Sequence, residues 1–217
     1  MEPAPDLSNR RPLKSRSTRW AQSLSRSLSR LGLTADAISI VGVIAALAGA
    51  LALYEASRWP WLYLAAVAGV QLRLLCNLLD GLVAIEGGKK SPVGPLYNEV
   101  PDRIEDSILL IAAGFASGWL ALGLAAALAA ALTAYIRALG GSLGFNQDFA
   151  GPMAKQHRMA TLTVGILAAF IVEFIPGFSL KDGRLILALC LLLIIAGALV
   201  TMVRRIARIA RQLRGAA

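Results

Sequence analysis

Apolar residues in this chain come in long blocks rather than at the spacing of one buried face, the pattern of a protein whose solvent is lipid. Residues 1–14, with Pro3, Pro5 and Pro12 and little hydrophobicity, read as a disordered lead. From 15 to 33 the pattern changes. Trp20, Leu24, Leu28 and Leu31 recur at helical intervals among Arg and Ser, which predicts a basic amphipathic helix lying on a bilayer surface. Thr34 then stands as an N-cap with Asp36 in the first turn, and the uncharged run Ile38 to Tyr54 predicts a first span. A second starts near the interfacial residues Trp59 and Trp61 and continues towards Leu79. Ile108 to Ile136 carries no charge, too long a run for one span and too short for two. The third span is therefore expected to begin near Pro101, and a turn at Gly114 to Trp119 separates it from the fourth. A fifth runs from about Met159 to Ile175, stopped by Pro176 and Gly177, and a sixth from about Leu185 to Val203. The fold class is an all-α integral membrane protein, with six transmembrane helices in one domain over 34–210, preceded by the N-terminal amphipathic surface helix.

Composition agrees. The 217 residues are 57% hydrophobic and only 16% charged, which argues against a water-soluble globule. The net charge of +9 comes from 22 Lys and Arg. More than half of them lie in two terminal clusters, Arg10, Arg11, Lys14, Arg16, Arg19, Arg26 and Arg30, and Arg204, Arg205, Arg208, Arg211 and Arg214. Each cluster borders an apolar block, which suits anionic lipid head groups and topology control and not nucleic acid. With six spans both termini share a side with Lys89, Lys90 and the stretch Arg137 to Arg158, while Arg58, Lys181 and Arg184 fall opposite. The positive-inside tendency then makes the termini cytoplasmic in a multi-pass cell or inner membrane protein. A cleavable signal peptide is not expected, because the first apolar block starts late. Cys76 and Cys190 sit in apolar runs and read as small buried hydrophobes.

Charge inside or at the edge of a span is costly, and so marks candidate function. Nearly half of the 13 acids fall between Asp80 and Asp106. Arg73, Asn77 and Asp80 share one helical face, and Asn98, Asp102 and either Glu105 or Asp106 share another. The turn-rich stretch from Glu86 to Pro95 would hold the two helices adjacent. Facing oxygen stripes without a nearby His or Cys suit Mg²⁺ or Mn²⁺ rather than zinc, and hard cations suit diphosphates. The same stripes also suit interhelical hydrogen bonds that lock a bundle.

The order of these residues carries a resemblance. Asn77-Leu-Leu-Asp80-Gly81-Leu-Val-Ala84-Ile85, then Gly94-Pro-Leu-Tyr-Asn98-Glu-Val-Pro-Asp102, resembles the signature of the CDP-alcohol phosphotransferase family. That signature reads Asp-x-x-Asp-Gly-x-x-Ala-Arg, followed at the same interval by Gly-x-x-x-Asp-x-x-x-Asp. Every spacing matches. The identities differ at Asn77, Ile85 and Asn98, so two of the four acids are replaced by isosteric amides. Leu33-Thr34-Ala-Asp36-Ala-Ile38 is similar to the family's opening of the first span, and Tyr135-Ile-Arg137 to its Tyr-x-Arg element.

The resemblance implies six spans after a surface helix, a phosphoalcohol group moved from a CDP-alcohol to a hydroxyl acceptor with release of CMP, dependence on Mg²⁺ or Mn²⁺, and homodimers. CDP-diacylglycerol is the expected donor, in phospholipid biosynthesis, with the active site cytoplasmic. By position, Asn77, Asp80, Asn98 and Asp102 are implied as metal residues and Asp102 as general base. Gly81, Ala84 and Gly94 are implied at the nucleotide, with Lys89 or Lys90 offsetting the Arg lost at Ile85. Two carboxylates offset one divalent ion, so at least one ion is expected, with a lower affinity or a single-metal arrangement, and Glu86, Glu99, Glu105 or Asp106 are at hand to restore the missing charge. Arg137, Lys155 and Arg158 form a cationic group suited to an acceptor or donor phosphate. His157 reads as a surface residue, and Glu173 is an acid without an assigned role. The alternatives are a catalytically silent lipid- or nucleotide-binding homologue and a small membrane transporter.

Overall fold

The Thr34 hydroxyl accepts from the Ala37 N–H at 3.2 Å, so the predicted cap starts a helix at the next residue. The computed structural model describes residues 18–86, 94–177 and 179–216, and of 85, 86, 94, 95, 97, 98, 180 and 216 the backbone alone. The predicted lead over 1–14, residues Ser15 to Ser17, and Lys89 and Lys90 lie outside the described residues. The described residues form α1 (Arg19–Arg30), α2 (Ala35–Glu55), α3 (Leu62–Glu86), α4 (Gly94–Ala116), α5 (Leu120–Ser142), α6 (Lys155–Val172) and α7 (Leu180–Ala216).

Six of these close into a ring. α2 packs on α3 and α4, α4 on α5, α5 on α7, α7 on α6, and α6 returns to α3, while α1 lies against α3. The ring encloses one core to which all six contribute, among them Leu53, Tyr63, Val70, Leu109, Leu110, Ala126, Leu162, Ile166, Leu191 and Ile194. Close approach of backbones draws neighbours together. A Cβ on Gly69 would lie 2.6 Å from the Gly49 Cα, and one on Gly114 would lie 2.6 Å from the Gly123 Cα, so α2–α3 and α4–α5 touch main chain to main chain. The outside is apolar as well: Leu51, Leu128, Leu193 and Val203 are more than half exposed. An apolar rim around a core that also buries charge is the arrangement lipid imposes.

Among the described residues, four helices are long and apolar enough to cross a membrane by length and composition: Ala35–Glu55, Leu62–Ala84, Leu120–Ser142 and Lys181–Gly215. α4 and α6, expected as the third and fifth spans, are not among them. α4 carries Glu99, Asp102, Arg103, Glu105 and Asp106, and α6 opens with Lys155, His157 and Arg158. Most of that charge is buried inside the ring. α4 also starts before Pro101, which lies within the helix and removes one rung of its hydrogen-bond ladder. The turn between α4 and α5 falls at Ser117 to Trp119, inside the predicted break.

Candidate active site

Helical spacing puts Arg73, Asn77 and Asp80 on the face of α3 that meets Asp102, Glu105 and Asp106 of α4. Arg73 is fully buried. Its Nε donates to Glu105 Oε2 at 2.6 Å, and its Nη2 donates to Asp106 Oδ1 and, at 3.4 Å, to the Asp102 carbonyl. Asn77 Nδ2 donates to Glu105 Oε2 at 2.9 Å and to the Arg73 carbonyl at 3.1 Å. Arg158, from the first turn of α6, donates to Asp106 Oδ2. A guanidinium presents several donors in a fixed plane, which lets Arg73 satisfy three acceptors from a water-free position.

The Lys155 ammonium sits between the two faces and donates to both Asn77 Oδ1 and Asp102 Oδ1. Asp102 Oδ2 accepts from Arg103 Nη2 at 3.3 Å. Asp80 Oδ2 accepts from the Ser39 hydroxyl of α2 at 2.8 Å, while Asp80 Oδ1 is buried with no hydrogen-bond partner among the described residues. Glu105 Oε1 is likewise unpartnered and faces α2, where a Cβ on Gly42 would lie 2.8 Å from it. The buried acids Asp102, Glu105 and Asp106 are thus met by Arg73, Lys155 and Arg158, and by Arg103 at the edge, while Asp80 is met by the Ser39 hydroxyl.

Beside Asp102 the bundle opens a pocket lined by Arg103, Arg137, Lys155, Arg158, Arg205 and Thr133. Arg137 Nη2 donates to both carboxylate oxygens of Glu99, at 2.7 and 2.6 Å, and its guanidinium lies 5.1 Å over the Phe149 ring. Arg205 Nη1 donates to the Thr133 carbonyl at 2.6 Å and its Nε to the Ala150 carbonyl at 3.2 Å. Five cations thus surround one small opening, each also held by a carboxylate or a main-chain carbonyl of the chain.

The structure brings together Asp80, Asn77 and Asp102, and around the pocket Arg137, Lys155 and Arg158. Gly81 is buried and Ala84 half-buried on the last turns of α3. Asn98 lies one turn before Asp102 on α4, and Gly94 begins that helix, but their side chains, like that of Glu86 and all of Lys89, lie outside the described residues. Glu99, Glu105 and Asp106, the further acids near the signature, are each paired with a guanidinium of the chain itself. Sequence reasoning missed Ser39 and counted Arg205 with the terminal anchor. Arg205 follows the buried Thr201 and Met202 at helical spacing, a signal that it faces inward. His157 is exposed, both cysteines are free and buried, and Glu173 Oε1 is buried without a hydrogen-bond partner among the described residues.

No group of three or more His, Cys, Asp and Glu side chains able to hold a metal occurs among the described residues. Asn77 Oδ1 and Asp102 Oδ1 converge on the Lys155 ammonium, and Asp80 Oδ1 is buried without a hydrogen-bond partner among the described residues. Carboxylate and amide oxygens are donors of the kind that suit a hard divalent cation.

No family model matches the chain. Among curated proteins it is 39% identical over 83 residues to the phosphatidylinositol phosphate synthase of Mycobacterium marinum, 38% of this chain and 34% of that protein. It is 35% identical over 83 residues to the synthase of Mycobacterium bovis, covering 36% of it. The match thus spans about a third of the length of these two relatives. With the synthase of Streptomyces avermitilis the likeness is 24% over 203 residues, 90% of this chain and 80% of that protein. Among solved structures, the Mycobacterium tuberculosis phosphatidylinositol phosphate synthase with CDP-DAG bound superposes with a TM-score of 0.71 at 23% identity, over 88% of this chain and 94% of that one. The same enzyme in complex with manganese and citrate gives 0.70 at 23%, over 87% and 88%. The chain shares their fold.

Proposed function

We propose that the chain is a six-span membrane transferase of the CDP-alcohol phosphotransferase family, which moves the phosphatidyl group of CDP-diacylglycerol to a phosphorylated alcohol and releases CMP. The observation that carries this reading is the five-cation pocket opening directly beside Asp102. A proton acceptor and an anion receptor side by side suit an acceptor that bears both a hydroxyl and a phosphate. The relatives are named for a product of that class, phosphatidylinositol phosphate, and one related structure holds CDP-DAG. Both support inositol phosphate as the acceptor to try first.

In this scheme the acceptor phosphate lies among Arg103, Arg137, Lys155, Arg158 and Arg205, and its hydroxyl faces Asp102. As the hydroxyl oxygen bonds to the phosphatidyl phosphorus, its proton passes to Asp102 and the bond from that phosphorus to the CMP oxygen breaks. Asp80 and Asp102, with the amide oxygens of Asn77 and Asn98, would hold one Mg²⁺ or Mn²⁺, which offsets charge on the diphosphate. Ser39 orients Asp80. Arg73 fixes Glu105 and Asp106, and so the pitch of α4 against α3. The basic termini support a cytoplasmic site through the positive-inside tendency.

The test is CMP release by the purified protein from CDP-diacylglycerol, with and without inositol phosphate and Mg²⁺, beside Asp102→Asn. We expect release that needs acceptor and metal and falls by about 10²–10⁴-fold in the variant. No CMP from any CDP-alcohol at any metal concentration would overturn the transferase reading. A second reading, a silent binding homologue, is favoured by one observation: each of Asp102, Glu105 and Asp106 is already matched by a cation of the chain. Saturable CDP-diacylglycerol binding without turnover is its signature.

A further inference from the structure

We propose that the Lys155 ammonium is a cation built into the position a divalent ion would take between Asn77 and Asp102, and that an anion in the adjoining pocket draws it out and opens that position to the metal. The anion half of this rests on the acceptor pocket proposed above.

Two oxygens from different helices, Asn77 Oδ1 and Asp102 Oδ1, converge on Lys155 Nζ. Such convergence defines a cation position whatever cation fills it. An ammonium and a metal ion cannot share it, since both need the same lone pairs at contact distance. The ammonium is tethered. Arg158, one turn on, is held by Asp106 and by the Met153 carbonyl, which fixes where α6 begins and therefore where the Lys155 stem starts. Lys155 itself is 6% exposed. When the ammonium leaves the two oxygens, the space open to it is the pocket, which already holds Arg103, Arg137, Arg158 and Arg205. Like charge opposes that move in the empty pocket.

A dianion among those guanidiniums reverses the balance. It supplies the counter-charge that lets Lys155 turn into the pocket, and the oxygens of Asn77 and Asp102 are released. Metal and anion therefore bind cooperatively through one side chain. By linkage each must tighten the other by the same factor. Asn in place of Asp at position 77 belongs to the same device, because a neutral oxygen holds the ammonium less firmly than a carboxylate would and lets it go.

Mn²⁺ binding to the purified full chain, followed by the electron spin resonance of free Mn²⁺, reads this without turnover. The probes are Mn²⁺ alone and Mn²⁺ with sulfate, at constant ionic strength set by chloride. We expect weak Mn²⁺ binding by the wild type and tightening on the order of tenfold with sulfate. Lys155→Gln should bind Mn²⁺ tightly without sulfate and lose most of the sulfate effect, and Lys155→Met, apolar and of similar length, should do the same. Lys155→Arg should stay weak. A wild-type affinity that sulfate leaves unchanged overturns the proposal even if no variant folds. So does equal Mn²⁺ affinity in wild type and Lys155→Gln. Failure of CMP release with the coupling intact would instead count against the transferase reading alone.

Discussion

Replacing Arg73 by Met tests whether the buried charges hold the bundle together or merely occupy it. Met keeps the stem and removes the guanidinium, leaving Glu105 Oε2 with only the Asn77 amide and Asp106 with only Arg158. Neither acid can reach water, since Glu105 is 0% and Asp106 2% exposed. Breaking a buried ion pair from one side costs about 3–5 kcal/mol, because the remaining charge stays uncompensated. For a chain of this size, about 2–4 °C in Tm per kcal/mol gives a drop of roughly 6–20 °C in thermal unfolding in detergent. Arg73→Lys should recover little, since a compact ammonium on a shorter side chain lacks the planar fork whose Nε and Nη2 reach Glu105 and Asp106 separately. The double variant Arg73→Met with Glu105→Gln should recover part of the loss by removing the orphaned charge. Arg73→Met melting within 2 °C of the wild type, a margin set by about 1 kcal/mol, would refute the view that these ion pairs set the packing of α3 on α4.

Gly69→Ala should destabilise by several kcal/mol, on the order of an overpacked core site, because its Cβ would stand 2.6 Å from the Gly49 Cα with only backbone to yield; an unchanged Tm in detergent would count against the main-chain contact. Arg205→Ala should raise KM for the phosphorylated acceptor by about tenfold or more while leaving KM for the CDP-alcohol unchanged, as loss of a charge-assisted bond predicts; an equal effect on both substrates would remove Arg205 from the acceptor pocket. Chelation by EDTA should abolish CMP release and restoration of Mg²⁺ or Mn²⁺ should return it, measured as initial rates; full activity in EDTA would remove the metal from the reaction.

Much of the bundle can be read along the chain. Thr34 caps α2, the turn after Ala116 falls in the predicted break, and α1 occupies the basic amphipathic stretch. Helix position is a local property, set by capping and by blocks of apolar residues, and neither depends on what lies across the bundle. Two expected spans fared differently because α4 and α6 carry their charge inward, which composition alone scores as polarity. At the site, the stripes Arg73, Asn77, Asp80 and Asp102, Glu105, Asp106 were legible from the helical period. Their partners were not. Glu105 and Asp106 were available on paper to restore a metal site, and in the fold they serve Arg73 and Arg158.

The sequence by itself determined that lipid is the solvent, that charge is gathered at one mouth, and which residues share a helical face, since hydropathy and the helical period act between near neighbours in the chain. Only the tertiary structure decided which cation meets which acid. Lys155 reaches Asn77 and Asp102 from a different helix, and Arg205 turns from an anchor into a wall of the pocket. Charge pairing depends on distances of a few ångströms between helices, and the order in which the ring closes sets those distances, not the order of residues along the chain.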